Sequence, residues 1–209
     1  MRLKLISLFA GLLLTVLASA PFADAAGICG DPATRPWCDT SLSPSDRTTL
    51  LLEAMTPEQR ISMLGGDDVA ALVSLDYTGI AEGIPDLGIP DLLMADGPVG
   101  VRVGKATAMP STMALAATFN RSLAWKYGAV LAAETKSKGN DMLFGPTIDI
   151  MRTPLAGRSF ETFGEDPLLT SELTVPYIEG VQDNGVIATA KHYVGNNQEG
   201  WGGADADKA

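Results

Sequence analysis

In GVIATAKHYVGNNQE, residues 185–199, a glycine opens a run of small and β-branched residues that turns polar at Lys191-His192, and that histidine is the only one in the chain. Gly185 to Ala190 reads as a buried strand. The same pattern occurs twice upstream. Asp91 to Ala95 (DLLMA) runs into the turn Asp96-Gly97-Pro98, and Asp141 to Gly145 (DMLFG) runs into a long polar loop from Pro146 to Glu165. MALAATF, Met113 to Phe119, reads as a further strand.

Helical patterns lie between these strands. Asn120 can cap a helix from Arg121 to Lys138, with Leu123, Tyr127, Val130 and Leu131 on its inner face and Gly139 as its stop. A second helix is expected from Pro167 to Asn184, capped by Asp166, with Leu169, Leu173, Tyr177, Ile178 and Val181 inward. Pro176 lies inside it and should kink it, because proline lacks the amide hydrogen of the helix ladder. Nearer the N-terminus, Thr56, Pro57 and Gln59 form a capped helix start, and Gly65-Gly66 ends that helix.

Strand followed by helix, repeated, implies an α/β fold with a parallel sheet, either an open doubly wound sheet or a barrel. Both architectures bind ligands at the carboxyl ends of their strands. Asp96, the loop carrying Arg158, and Lys191-His192 all follow such ends, an arrangement that favours the barrel.

The first 25 residues have the order of a secretory leader: basic at MRLK, apolar from Leu5 to Ala18, then small residues up to Ala25. The apolar part is about 14 residues, short of the roughly 20 that span a bilayer. Export to the periplasm or the exterior is expected, without a membrane span. Losing residues 1–25 removes Arg2, Lys4 and Asp24 and moves the formal charge from −10 to −11. An acidic chain without a Lys/Arg cluster is not built for nucleic acid. Cys29 and Cys38 are the only cysteines, and an oxidising compartment would allow them to pair within an N-terminal arm, residues 26–44. Two cysteines and one distant histidine do not supply a structural zinc centre, so no metal is expected. No cofactor is expected either. GVRVGKAT, Gly100 to Thr107, lacks the first glycine and the Ser/Thr of a phosphate-binding loop, and no G-x-S-x-G is present.

One carboxylate, one guanidinium, one ammonium and one imidazole arriving from three strand ends would make a pocket dense in charged hydrogen-bond partners. Vicinal sugar hydroxyls suit it, since each donates and accepts. Taken alone, Asp96 before Gly-Pro reads as a turn former, and a lone histidine at a strand end as a packed structural residue.

MADGPVGVR (residues 94–102), GPTIDIMRTPLAGRSFETFGEDP (145–167) and KHYVGNNQE (191–199), in this order, resemble the N-terminal barrel of glycoside hydrolase family 3, the β-glucosidases and related enzymes. The resemblance runs from about Arg47 to Glu199. It implies that residues 45–209 are the N-terminal portion of a (β/α)8 TIM-type barrel, incomplete in this chain. It implies that Asp96, Arg158, Lys191 and His192 bind the sugar in the −1 subsite, with a β-glucoside or oligosaccharide as substrate. Glu161 is expected to hold the arginine rather than to catalyse.

Retaining glycosidases need a nucleophile and an acid/base carboxyl about 5–5.5 Å apart. The resemblance puts the first on a later barrel strand and the second in a following domain. No catalytic residue is therefore identifiable in this chain, and these residues alone are expected to hydrolyse no glycoside. The N-acetylglucosaminidase branch carries a second histidine after the lysine-histidine pair; KHYVGNN has none, which points to glucosidase or xylosidase specificity. A noncatalytic, exported sugar-binding remnant is the alternative.

Overall fold

The computed structural model describes residues 29–66 and 76–198; the expected leader lies outside them. Cys29 and Cys38 form a disulfide beside a 3-10 turn, Pro36–Cys38. Helix α1, Pro44–Ala54, follows Ser43, whose hydroxyl accepts from the Asp46 amide. Helix α2, Pro57–Ser62, starts in a full capping box: Thr56 accepts from the Gln59 amide, and the Gln59 side chain accepts from the Thr56 amide.

Four strands form one sheet in sequential order: β1 Gly79–Ala81, β2 Leu92–Asp96, β3 Met142–Thr147 and β4 Ile187–Lys191. β1 runs antiparallel to β2, an element the sequence reading lacked. β2, β3 and β4 are parallel. Strand order does not reverse among the described strands, so the switch point of a doubly wound sheet is not found there. All three strand ends consequently sit side by side on one edge.

The connections are helical. α3, Thr112–Ala116, occupies the stretch expected as a strand. The physical reason is local: Ser111 caps it by accepting from the Ala114 amide at 3.2 Å, and Met, Ala and Leu are strong helix formers without strand alternation. α4, Arg121–Ser137, is capped by Asn120 as expected, and Gly139 follows it at φ 76°. α5, Pro167–Gln182, is capped by Asp166, which accepts from the amides of Leu168 and Leu169. The helix continues on both sides of the buried Pro176, so the missing amide removes one rung and not the element.

The buried face of α4 differs from the expected one. Ala124, Tyr127, Gly128, Leu131, Ala132 and Thr135 are buried, whereas Leu123 and Val130 are 40% and 43% exposed. The cause is the close approach of α5. A Cβ on Gly128 would lie 2.2 Å from the Tyr177 carbonyl, and one on Gly180 would lie 2.0 Å from the Trp125 carbonyl. Two helices this near need small residues between them, which turns the alanine and glycine stripe inward. α5 contributes Leu173, Tyr177 and Val181, all buried, with Leu169 packed against them and Ile178 half-buried.

This helical layer covers one face of the sheet, where Ala95 and Leu143 are fully buried. Tyr177 meets Tyr127 at 5.7 Å between ring centroids and Phe163 edge-on at 6.4 Å. Burial pushes both phenols well above the usual tyrosine range, so they are neutral hydroxyls. They reach the Pro98 carbonyl at 3.4 and 3.5 Å, supporting the turn after β2 from below. Strand alternation then aims Asp96, next to the buried Ala95, at the other face.

Candidate sugar-binding site at the strand ends

Asp96 closes β2, and the turn after it is folded tightly back: the Arg102 amide donates to the Asp96 carbonyl at 2.8 Å. A Cβ on Gly97 would lie 2.8 Å from the Gly100 carbonyl, and Gly100 has φ 129°, so the DGPVG sequence is what this turn requires. The turn returns Arg102 beside Asp96. Arg102 Nη1 donates to Asp96 Oδ2 at 2.9 Å and its Nη2 to Glu161 Oε1 at 2.6 Å.

Lys191 closes β4, and its Nζ donates to Asp96 Oδ1 at 2.5 Å, with Glu161 Oε2 at 3.9 Å. Arg158 precedes the 3-10 turn Ser159–Glu161 and donates through Nη2 to Glu161 Oε2 at 2.6 Å. That turn is fixed by α3: the fully buried Thr112 hydroxyl lies 3.0 Å from the Thr162 carbonyl and 3.3 Å from that of Phe160. Glu161 itself has a side chain only 1% exposed. Burial, the largest single influence, pushes its carboxyl upward, but the hydrogen bonds and charges of Arg158 and Arg102 outweigh it and hold the group below the ordinary glutamate value. Glu161 is thus the buried anion on which two arginines rest.

A second group adjoins the first. The backbone amide of His192 donates to Asp149 Oδ2 at 3.1 Å, its Nδ1 lies 2.7 Å from the same oxygen, and the Asn196 amide donates to Asp149 Oδ1 at 3.1 Å. Thr147, Asp149, Arg158, His192 and Asn196 line one cleft.

All four residues singled out from the sequence therefore fall at one sheet edge, with Asp96 and Lys191 in direct contact. Three partners were not anticipated: Arg102, Asp149 and Asn196. Arg102 stood within the quoted MADGPVGVR, and its return to Asp96 depends on the turn. Asp149 follows Thr147 with strand-like spacing, the one signal that could have marked it as facing the same side.

Residues 76–208 match the Glycosyl hydrolase family 3 N terminal domain. Beta-glucosidase BoGH3A of Bacteroides ovatus is 50% identical over 135 residues, which are 58% of this chain and 18% of that protein. Probable beta-glucosidase J of Aspergillus fumigatus is 44% identical over 148 residues, 68% of this chain and 17% of that protein. Among solved structures, beta-glucosidase 3B from Thermotoga neapolitana in complex with α-D-glucose superposes with a TM-score of 0.69 at 34% identity, covering 73% of this chain and 24% of that one. DesR, a beta-glucosidase from Streptomyces venezuelae in complex with D-glucose, gives 0.67 at 40% identity, covering 73% and 20%. The chain thus spans less than a quarter of the length of each of these proteins. With the family match extending over most of the described residues and two solved relatives superposing on 73% of this chain, the chain belongs to glycosyl hydrolase family 3, through that family's N-terminal domain.

Proposed function

We propose that this chain supplies the sugar-holding part of a β-glucosidase-type glycoside hydrolase, an enzyme that removes β-D-glucosyl units from non-reducing ends with retention. The observation that carries the reading is the joined network of Asp96, Lys191, Arg102, Glu161 and Arg158 across three neighbouring strand ends. Asp96 and Lys191 offer an acceptor and a donor 2.5 Å apart, close enough for one sugar hydroxyl, which both donates and accepts, or for two vicinal hydroxyls to meet both. Arg158 and His192 supply further polar contacts from the adjoining cleft. The relatives named above are beta-glucosidases, and two of the matched structures hold glucose.

Neither half of the retaining carboxyl pair is assigned here. Asp96 accepts from Arg102 and Lys191, Glu161 from Arg102 and Arg158 with Lys191 nearby, and Asp149 is engaged by His192 and Asn196. The nucleophile and the acid/base are proposed to come from polypeptide beyond these residues. Export fits the Cys29–Cys38 disulfide, which persists in oxidising compartments. No helix among the described residues is long and apolar enough to cross a membrane.

The test is Asp96→Ala in the complete enzyme with an aryl β-glucoside. Loss of charged hydrogen bonds of about 1.5–3 kcal/mol each lowers kcat/KM by at least roughly tenfold. Unchanged kinetics removes Asp96 from the sugar site.

A further inference from the structure

We propose that Asp149 is the positioning residue for His192, fixing which imidazole nitrogen faces the cleft. The proposal deepens the sugar-site reading of His192 and rests on it. Asp149 is 8% exposed, a buried carboxylate whose hydrogen bonds among the described residues come from His192 and Asn196. A carboxylate only accepts, so a ring nitrogen 2.7 Å from Oδ2 carries the proton. The Asn196 side-chain amide also approaches Nδ1, at 3.3 Å, but it is neutral and farther away, so the carboxylate sets the tautomer. Nε2 is then the nitrogen left for a ligand in the cleft that His192 lines.

The same carboxylate holds both ends of the turn from His192 to Asn196, whose tip residues Tyr193 and Val194 are 101% and 83% exposed. Oδ2 takes both His192 groups, the backbone amide and Nδ1, so the carboxylate braces the turn and chooses the tautomer through one oxygen. An alanine at 149 removes both acceptor oxygens. The Asn196 side-chain NH2, 3.3 Å from Nδ1, is then the polar group left beside that nitrogen; it donates to Nδ1 and moves the ring proton to Nε2. A residue that only braced the turn would leave the ring proton where it was.

The measurement uses the complete enzyme with 15N-labelled histidine, recorded at a pH where the ring carries one proton. The His192 signals are identified by their loss in His192→Gln. The expected wild-type ring is protonated on Nδ1, and Asp149→Ala transfers the proton to Nε2. Asp149→Ala is also expected to lower kcat/KM for an aryl β-glucoside by about tenfold or more, as wrong-tautomer substitutions do, and by less than about twofold once His192 is already glutamine. An Nε2-protonated wild-type ring overturns the proposal whatever the variants do. So does a full tenfold loss in the His192→Gln background, which would mean that Asp149 acts independently of the histidine. If His192→Gln leaves kcat/KM unchanged while the wild-type ring is protonated on Nδ1, the positioning by Asp149 stands and the sugar-site reading of His192 falls.

Discussion

Replacing Glu161 with glutamine removes one charge and keeps the shape, so it isolates what the buried carboxylate contributes. Arg102 and Arg158 each donate to it at 2.6 Å, one to each oxygen, and Lys191 lies 3.9 Å away. Glutamine has one acceptor oxygen and can serve one arginine only, while its NH2 group confronts the donors of the other. One charge-assisted bond is lost, about 1.5–3 kcal/mol, and the surviving bond falls to neutral strength, about 1 kcal/mol weaker. A loss near 3 kcal/mol is expected at pH 7. The sign of its pH dependence follows from the arginines. They outweigh burial and hold the folded carboxyl below its ordinary 4.5, so the folded protein binds this proton less readily than the unfolded chain. The stabilisation is therefore complete above about pH 4.5 and is lost as the pH falls through the lower folded value. Urea unfolding of wild type and Glu161→Gln, stepped from pH 7 into the acid range, should show a gap that closes below pH 4.5. A gap absent at pH 7, or constant through the acid range, would refute the assignment of Glu161 as the anion that holds both arginines.

Gly128→Ala and Gly180→Ala test the helix contact by sign. In an ordinary helix interior alanine stabilises by about 0.5–1 kcal/mol; here each new Cβ would lie within 2.2 Å of a carbonyl on the facing helix, so a loss of about 1–3 kcal/mol or more is expected. A raised urea midpoint for either variant would show that the helices are not in backbone contact. Thr112→Val removes a fully buried hydroxyl that bonds two carbonyls flanking Glu161. It should cost about 1–3 kcal/mol and raise KM in the complete enzyme, because the turn it fixes carries Arg158. A stability loss with KM unchanged would separate that turn from the sugar site.

How much of this was legible in the sequence depends on the range of the interaction. Strand ends and caps are local: Asn120, Asp166 and the Thr56–Gln59 box each bond within three residues of themselves, and their sequence patterns were sufficient. The inner face of α4 was not, because apolar periodicity ranks Leu123 and Val130 above Ala124 and Gly128, whereas helix approach ranks small side chains first. MALAATF misled for a related reason: seven mostly apolar residues are compatible with either a strand or a helix, and the Ser111 cap lay just upstream. In the site, Asp96, Arg158, Lys191 and His192 were visible because their motifs resemble a family. Arg102 and Asp149 act through contacts spanning 59 and 43 residues, to Glu161 and His192, and nothing in local spacing encodes those pairs.

Those long pairs bear on which ligand the site can take. Among the described residues, Asp96 and Glu161 are paired with Arg102, Arg158 and Lys191, and Asp149 accepts from His192 and Asn196, so each carboxylate of the network is already satisfied and in balance with its donors. A neutral polyol can enter without disturbing that balance: each hydroxyl donates to a carboxylate and accepts from a cation, and the charged partner strengthens both bonds. A phosphate would have to draw Lys191 or an arginine away from its carboxylate and leave an acid such as Asp96 facing another anion in a partly buried site, where like charges are poorly screened. The same balance explains why so many charges can sit at one strand edge at all. Each buried carboxylate is already hydrogen-bonded, so the groups at the strand ends are held in place by one another before any ligand binds.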